Sequence, residues 1–319
     1  MVLNVNQRGF QQRLAVVEQI LQSHDLRALN ISTLAYSEEY LYPFNNYLFQ
    51  VELATPALSS SFPGTQPGTT QAPSDGISVI VIKLSNPAAT GINNTNRVEN
   101  DVAVQHLVRQ SMAHAGLPQL VPAIYAWMPT TITNAVNKKS FGWIISELRT
   151  GVDLDSEFSS LKIQDKEQIL EQMANVLKAI QTAELPEGAT KFGGVTFDSE
   201  GRTVNGQAPL RAGEPSPVIQ GWKYNGVDAR IEKFLAANGP GEILSDVDLH
   251  QKNLIHGDFT TNNMLFDKDT KKLTAILDFD WSYISNPLDE FMCSLQDVGG
   301  NIRQEDKEIE AAILSGDFT

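Results

Sequence analysis

The chain carries a single cysteine, Cys293, among its 319 residues. One thiol excludes an internal disulfide framework and fits a reducing compartment. No run approaches the roughly 20 apolar residues that a membrane span needs. Met1 to Gln12 alternates polar and apolar residues and lacks the apolar centre of a secretory signal. The expectation is a cytoplasmic protein without a membrane partner. The phosphate loop Gly-x-x-x-x-Gly-Lys-Ser/Thr is missing, as are CxxC, HExxH and GxSxG, so zinc and acyl-transfer chemistry have no motif. No internal repeat is visible. Basic charge is scarce: 24 Lys and Arg against 38 Asp and Glu give a net charge of -14. That balance argues against a nucleic-acid partner, which requires a basic face.

What is present is a chain with 41% hydrophobic residues, enough to fold and long enough to predict two lobes. Its most informative stretch is Leu254-Ile-His256-Gly257-Asp258-Phe-Thr-Thr-Asn-Asn263-Met-Leu-Phe266. A carboxylate, Asp258, and an amide, Asn263, stand five positions apart between apolar flanks. A second apolar run, Leu273 to Leu277, delivers Asp278 within Asp278-Phe279-Asp280-Trp281. Phosphoryl transfer from a magnesium nucleotide needs such parts: an acid to receive a hydroxyl proton, and an Asn and an Asp to hold Mg²⁺ against the phosphates.

These motifs, His-Gly-Asp followed after four residues by Asn and then Asp-Phe-Asp, resemble those of the aminoglycoside phosphotransferase and choline kinase group. The resemblance implies an α+β, two-lobed protein-kinase-like fold. A small N-terminal lobe would hold an antiparallel sheet and one helix, and a larger C-terminal lobe would be mainly helical. It implies ATP and Mg²⁺ as cofactors, Asp258 as catalytic base, Asn263 and Asp278 as metal ligands, and a small-molecule hydroxyl as acceptor. His256 reads as a brace for its loop, Asp280 and Trp281 as packing or capping the turn, and Asp289 as a helix N-terminal acid. Asn286-Pro287 arrives within ten residues of Asp278, leaving no room for the activation segment that protein kinases use to dock peptides. The chain stops about forty residues after Asp278, and the acceptor pocket is expected to be reduced or built by the 195–250 region. The competing expectation is a silent kinase-like scaffold that binds nucleotide or a partner.

In chain order, helical spacing of Leu14, Val17, Ile20 and Leu21 predicts a helix over 10–22. Alternation predicts a strand over 47–53, after a turn at Asn45-Asn46, residues that tolerate positive φ. The resemblance places a nucleotide-covering loop there, although the glycines used by protein kinases are missing. Residues 55–76, rich in Ser, Thr, Pro, Gly and Gln, predict a mobile insertion. Residues 78–84 predict a strand ending on Lys83, the counterpart by resemblance of the kinase lysine on the α- and β-phosphates. A helix over 97–112 follows; Glu99 is expected to orient Lys83, with Asp101 as the alternative. Strands are expected over 120–127 and 142–148. The main chain of Glu147 and Arg149 is expected to read the adenine edge at a hinge where side-chain identity matters little. The lobe boundary falls there, giving a nucleotide-binding lobe over 1–147 and a catalytic lobe over 148–319. Helices are expected over 162–185 and 222–237, with a hairpin over 193–206 between them.

Overall fold

The computed structural model describes residues 4–34, 43–62, 66–89, 91–130, 141–189, 191–209 and 250–294, with isolated positions between 233 and 248. The expected helix over 222–237 lies almost entirely outside the described residues. The chain begins with α1 (Phe10–Ser23), β1 (Ala28–Leu34), β2 (Asn46–Ala57), β3 (Ile77–Ser85) and α2 (Arg97–His114). β4 (Ile124–Met128) and β5 (Trp143–Glu147) complete an antiparallel sheet of order β1-β2-β3-β5-β4. Residues 120–123, expected as strand, precede β4 as non-strand backbone around Pro122, whose missing N–H suits it poorly to a ladder.

Alternation assigns the two faces of this sheet. Phe49, Val51 and Leu53 of β2 and Ile80, Ile82 and Leu84 of β3 are buried together with Val17, Ile20 and Leu21 of α1. The helix therefore covers one face, as a period-two strand with one apolar side requires. Leu48, Gln50, Val81, Lys83, Ile144 and Ser146 belong to the other face and line a cleft.

The remaining elements are β6 (Val152–Asp153), α3 (Leu154–Phe158), α4 (Ile163–Gln181), β7 (Val195–Phe197), β8 (Thr203–Asn205), β9 (Asn253–Ile255), β10 (Met264–Phe266), β11 (Leu273–Ile276), β12 (Tyr283–Ser285) and α5 (Pro287–Cys293). The second core gathers Ile169, Met173, Val176 and Ile180 of α4, at helical spacing, with Leu254, Phe266, Ile276 and Phe279. α2 lends Val104, Leu107 and Val108 to that core, while its Val98 and Val102 pack with Ile124, Trp127 and Ile144. This helix is thus wedged between sheet and second core. The architecture is α+β and two-lobed, as the motifs implied.

The insertion is anchored where a mobile loop was expected. Its first residues continue β2 to Ala57. Farther on, the Gln66 side chain bonds both the N–H and the carbonyl of Trp127, Trp127 Nε1 donates to Pro67, and Thr70 N donates to Ile124 O at 2.7 Å. Hydrogen bonds to β4, together with burial of Ala72, replace the missing apolar content.

Candidate active site

The catalytic stretch is built as a strand, a tight turn and a second strand. Leu254 and Ile255 of β9 are fully buried, and β9 pairs with β12. Gly257 takes φ 76°, and a Cβ there would meet Trp281 O at 2.3 Å, so the backbone crossing admits only glycine. A 3-10 turn over Thr261–Asn263 ends the loop. It is tied to α3 by Thr261 Oγ1 donating to Asp155 at 2.9 Å. Asn263 Nδ2 donates to Asp258 Oδ2 and to Asp258 O, each at 2.9 Å. Leu277 N donates to Asn263 O at 2.9 Å, which sets Asp278 beside Asn263.

His256 braces the loop from inside. It is fully buried between Phe259 and Phe279, with Nε2 3.1 Å from Leu277 O. Burial lowers its pKa and favours the neutral ring. Beneath it lies a residue that sequence reasoning passed over. Glu290 of α5 is buried and accepts from His256 N at 2.5 Å, Gly257 N at 3.1 Å and Ser294 Oγ at 2.5 Å. Asn286 caps this helix by accepting from Leu288 N at 3.0 Å, and Asp289 takes a hydrogen bond from Ser285.

Across the cleft stands Lys83, in register with Leu48 of β2 and Ile144 of β5. Its Nζ lies 2.9 Å from Asp101, 2.9 Å from Asp280 and 3.6 Å from Asp278. Asp101, not Glu99, is therefore the acid on α2 that holds it. At 100° per residue, two positions put Glu99 some 200° around the helix from Asp101, so the two cannot both face the strand. Glu99 is half-buried on another side, where partial burial raises its pKa. Burial opposes the Lys83 charge, but the carboxylates of Asp101, Asp280 and Asp278 outweigh it and raise its pKa.

Asp280 is buried as expected, yet its surroundings are charged. Besides Lys83 it accepts from Arg97 at 2.7 Å and from Asn46 Nδ2 at 2.6 Å. Burial would raise its pKa, but the two cations prevail and hold it below the usual carboxylate range. Arg97 is itself fully buried and had no sequence signal beyond a charge at the start of an expected helix. Neither Asn45 nor Asn46 adopts the positive φ expected of the turn. Their carbonyl and amide groups instead face Arg97.

Asp278 does adopt a left-handed conformation, φ 59°. Burial, then the Asp280 charge, raise its carboxyl pKa to about 6 despite Lys83. Its Oδ1 is buried without a hydrogen-bond partner. An oxygen left so beside an amide and a second carboxylate suits a hard cation that takes one or two carboxylates and completes its shell with phosphate and water. Among the described residues no three His, Cys, Asp or Glu converge as a closed cage. The site thus fits Mg²⁺ arriving with a nucleotide.

The cleft has a volume of about 1270 Å³. Val81 and Ile144 line it from the sheet, Leu265 from β10 and Leu277 from the end of β11. Glu147, Leu148 and Arg149 line the connecting edge. There the side chains matter more than expected. Arg149 donates to Thr274 O, Gln119 O and Glu147, while Glu147 accepts from Ala123 N at 3.0 Å. These bonds fix the connection between sheet and second core.

A model of the phosphotransferase enzyme family (APH) matches residues 92–315. No curated protein matches the chain. Among solved structures, the chain is similar to aminoglycoside phosphotransferase APH(4)-Ia, at 16% identity over 95% of this chain and 85% of that one, with a TM-score of 0.48. A thermostable mutant of that enzyme in a ternary complex with ADP and hygromycin B gives 15% identity, 86% and 74% coverage and a TM-score of 0.47. Spectinomycin phosphotransferase APH(9)-Ia, in complex with ADP and spectinomycin, gives 12%, 96% and 80%, and 0.47.

Proposed function

Because the chain belongs to the phosphotransferase enzyme family, we propose that it moves the γ-phosphate of ATP, in the presence of Mg²⁺, to a hydroxyl of a small molecule. The acceptor is of aminoglycoside, choline or secondary-metabolite type. The observation that carries this reading is the approach of Lys83 Nζ to Asp278 Oδ1, 3.6 Å across the cleft, beside the Asp258–Asn263 pair. The roof cation and the metal carboxylate line one space large enough for a nucleotide and an acceptor, and the base is bonded to Asn263 of its wall.

The adenine would lie between Val81 and Ile144 above and Leu265 and Leu277 below, its edge against the main chain of Glu147 and Arg149. Lys83 commits two of its three protons to Asp101 and Asp280, and with the third it would hold the non-transferred phosphates. Asp278 and Asn263 would hold Mg²⁺, which when bound offsets charge on the transferring group, an effect worth several kcal/mol. Asp258, oriented by the Asn263 amide, receives or aligns the proton of the attacking hydroxyl. We place the lobe boundary between Glu147 and Leu148, in support of which the cluster under the sheet ends at Ile145, while the second core is built from residues after the boundary together with α2, Leu120 and Val121. Reducing, ATP-supplied cytoplasm suits this chemistry and a chain with the single cysteine Cys293.

The test is Mg-ATP turnover against a panel of aminoglycosides, choline and hydroxylated metabolites. Asp258→Ala is expected to lower kcat by roughly 10²–10⁴-fold with Mg-ADP binding retained. Unchanged turnover in that variant removes Asp258 as the base. Nucleotide binding without turnover of any acceptor returns the chain to the scaffold reading.

A further inference from the structure

The turn that would cover the nucleotide phosphates has no glycine, and the structure shows what holds it instead. Phe44 N donates to Asn6 Oδ1 at 2.8 Å, and Asn86 Nδ2 donates to Phe44 O at 2.6 Å. Asn45 O accepts from Asn86 N at 2.9 Å and from Arg97 Nη2 at 2.6 Å. Asn46 Oδ1 accepts from the same guanidinium at 2.9 Å, and its Nδ2 reaches Asp280 at 2.6 Å. One N–H and two carbonyls of the turn, at Phe44 and Asn45, are thus already engaged.

The joining point is Asp280. One oxygen meets Lys83 of β3, and the other meets Arg97 of α2 and Asn46 of β2. Its side chain is 1% exposed, and so is that of Arg97. A buried carboxylate with three donors on three elements fixes their mutual distances, because each bond lost leaves a buried charge under-satisfied. Asp280 follows Asp278 by two residues, so the carboxylate that sets the roof is fastened to the turn that carries the metal ligand.

We propose that Asp280 is a positioning residue, acting through Lys83, Asn46 and its counter-ion Arg97, that sets the nucleotide-covering turn and the metal turn in one geometry before the nucleotide arrives. The inference rests on the nucleotide reading above. A site organised in advance spends less of its binding energy on ordering a loop, which accounts for a working turn without glycine.

The experiment is a double-mutant cycle on the full chain, reading the Kd of Mg-ADP by calorimetry well below the Tm of every variant. Asn46→Ala is expected to weaken Mg-ADP by about tenfold and Asp280→Asn by at least as much. The double variant should bind no more weakly than Asp280→Asn alone, because both changes cut one link. Where Asp280→Asn does not fold, the neutral pair Arg97→Gln, Asp280→Asn takes its place in the cycle. Losses that multiply show Asn46 touching the nucleotide independently and overturn the proposal. So does wild-type affinity in the single variants alongside a lowered Tm, which is what a purely structural role gives. If the wild-type chain binds no Mg-ADP, the nucleotide reading falls and takes this one with it. Binding by wild type with no response in the variants removes this inference alone.

Discussion

Asp278 combines a left-handed backbone, φ 59°, with a carboxyl pKa raised to about 6. Asp and Asn tolerate that backbone far better than other side chains, apart from glycine. Asp278→Asn therefore isolates the charge from the conformation. The sign of the pH dependence follows from comparing states. Between the ordinary carboxylate value and about 6, the folded apo protein keeps a proton that the unfolded chain has lost. Wild-type stability then falls through that window as pH rises. Asp278→Asn lacks this loss, so its apo stability relative to wild type should climb from about pH 4 to about pH 6 and level off above. Urea melts across that range check it, and a flat difference would show that the Asp278 carboxyl titrates normally. Gly257 offers a steric counterpart. An added Cβ meets Trp281 backbone, and a left-handed φ alone costs an L-residue about 1–2 kcal/mol. Gly257→Ala should cost more than that, measured by the same melts.

At the level of elements, α5 and α2 teach different things. α5 is short, yet its Glu290 satisfies the N–H groups of His256 and Gly257 from below. Glu290→Ala leaves those two donors and Ser294 Oγ without their acceptor, at about 1–3 kcal/mol for each group left buried and unpaired. We expect a clear drop in Tm with a lower kcat, whereas a wild-type kcat in the folded variant would show that the loop keeps its shape unaided. In sequence this residue reads as one of two acids in a first helical turn, and only the tertiary fold distinguishes them. α2 shows the same limit. Apolar spacing located α1 and α4 to within a few residues, because each has one apolar face, and a run of β-branched residues located β3. α2 is buried on nearly every side, with Arg97, Asn100, Asp101 and Gln105 inside. No single apolar stripe marks the side facing Lys83, which is why Glu99 and Asp101 could not be told apart. That Asp258, Asn263 and Asp278 come together was legible because they stand on one loop and the strand end that soon follows it. The Arg97–Asp280 pair joins residues 183 apart in the chain, and no local pattern encodes that.

For the whole molecule, charge would decide which form of nucleotide the proposed site takes. The protein is at -14, and its candidate site repeats that sign locally: Lys83 and Arg97 meet Asp101, Asp278 and Asp280, and Asp258 adds its charge beside Asp278. With all groups ionised, two cations against four carboxylates leave this cluster net acidic around Asp278, which with Lys83 reaches the cleft wall. A free nucleotide brings more negative charge to it, and at short range in a partly desolvated cleft like charges repel by several kcal/mol. Bound Mg²⁺ cancels two of those charges and satisfies the Asp278 oxygen that has no hydrogen-bond partner. ADP alone should therefore bind at least about tenfold more weakly than Mg-ADP, a difference of about 1.4 kcal/mol or more. Ligand at a hundred times its Kd stabilises a fold by about 2.7 kcal/mol, so Mg-ADP should raise the Tm where either component alone at the same concentration barely does. In Asp278→Asn the extra shift from Mg²⁺ should disappear while any shift from ADP alone grows, since one repelling carboxylate has gone. Equal shifts with and without Mg²⁺ in wild type would mean that the acidic cluster is held by its internal cations alone and takes no part in choosing the nucleotide.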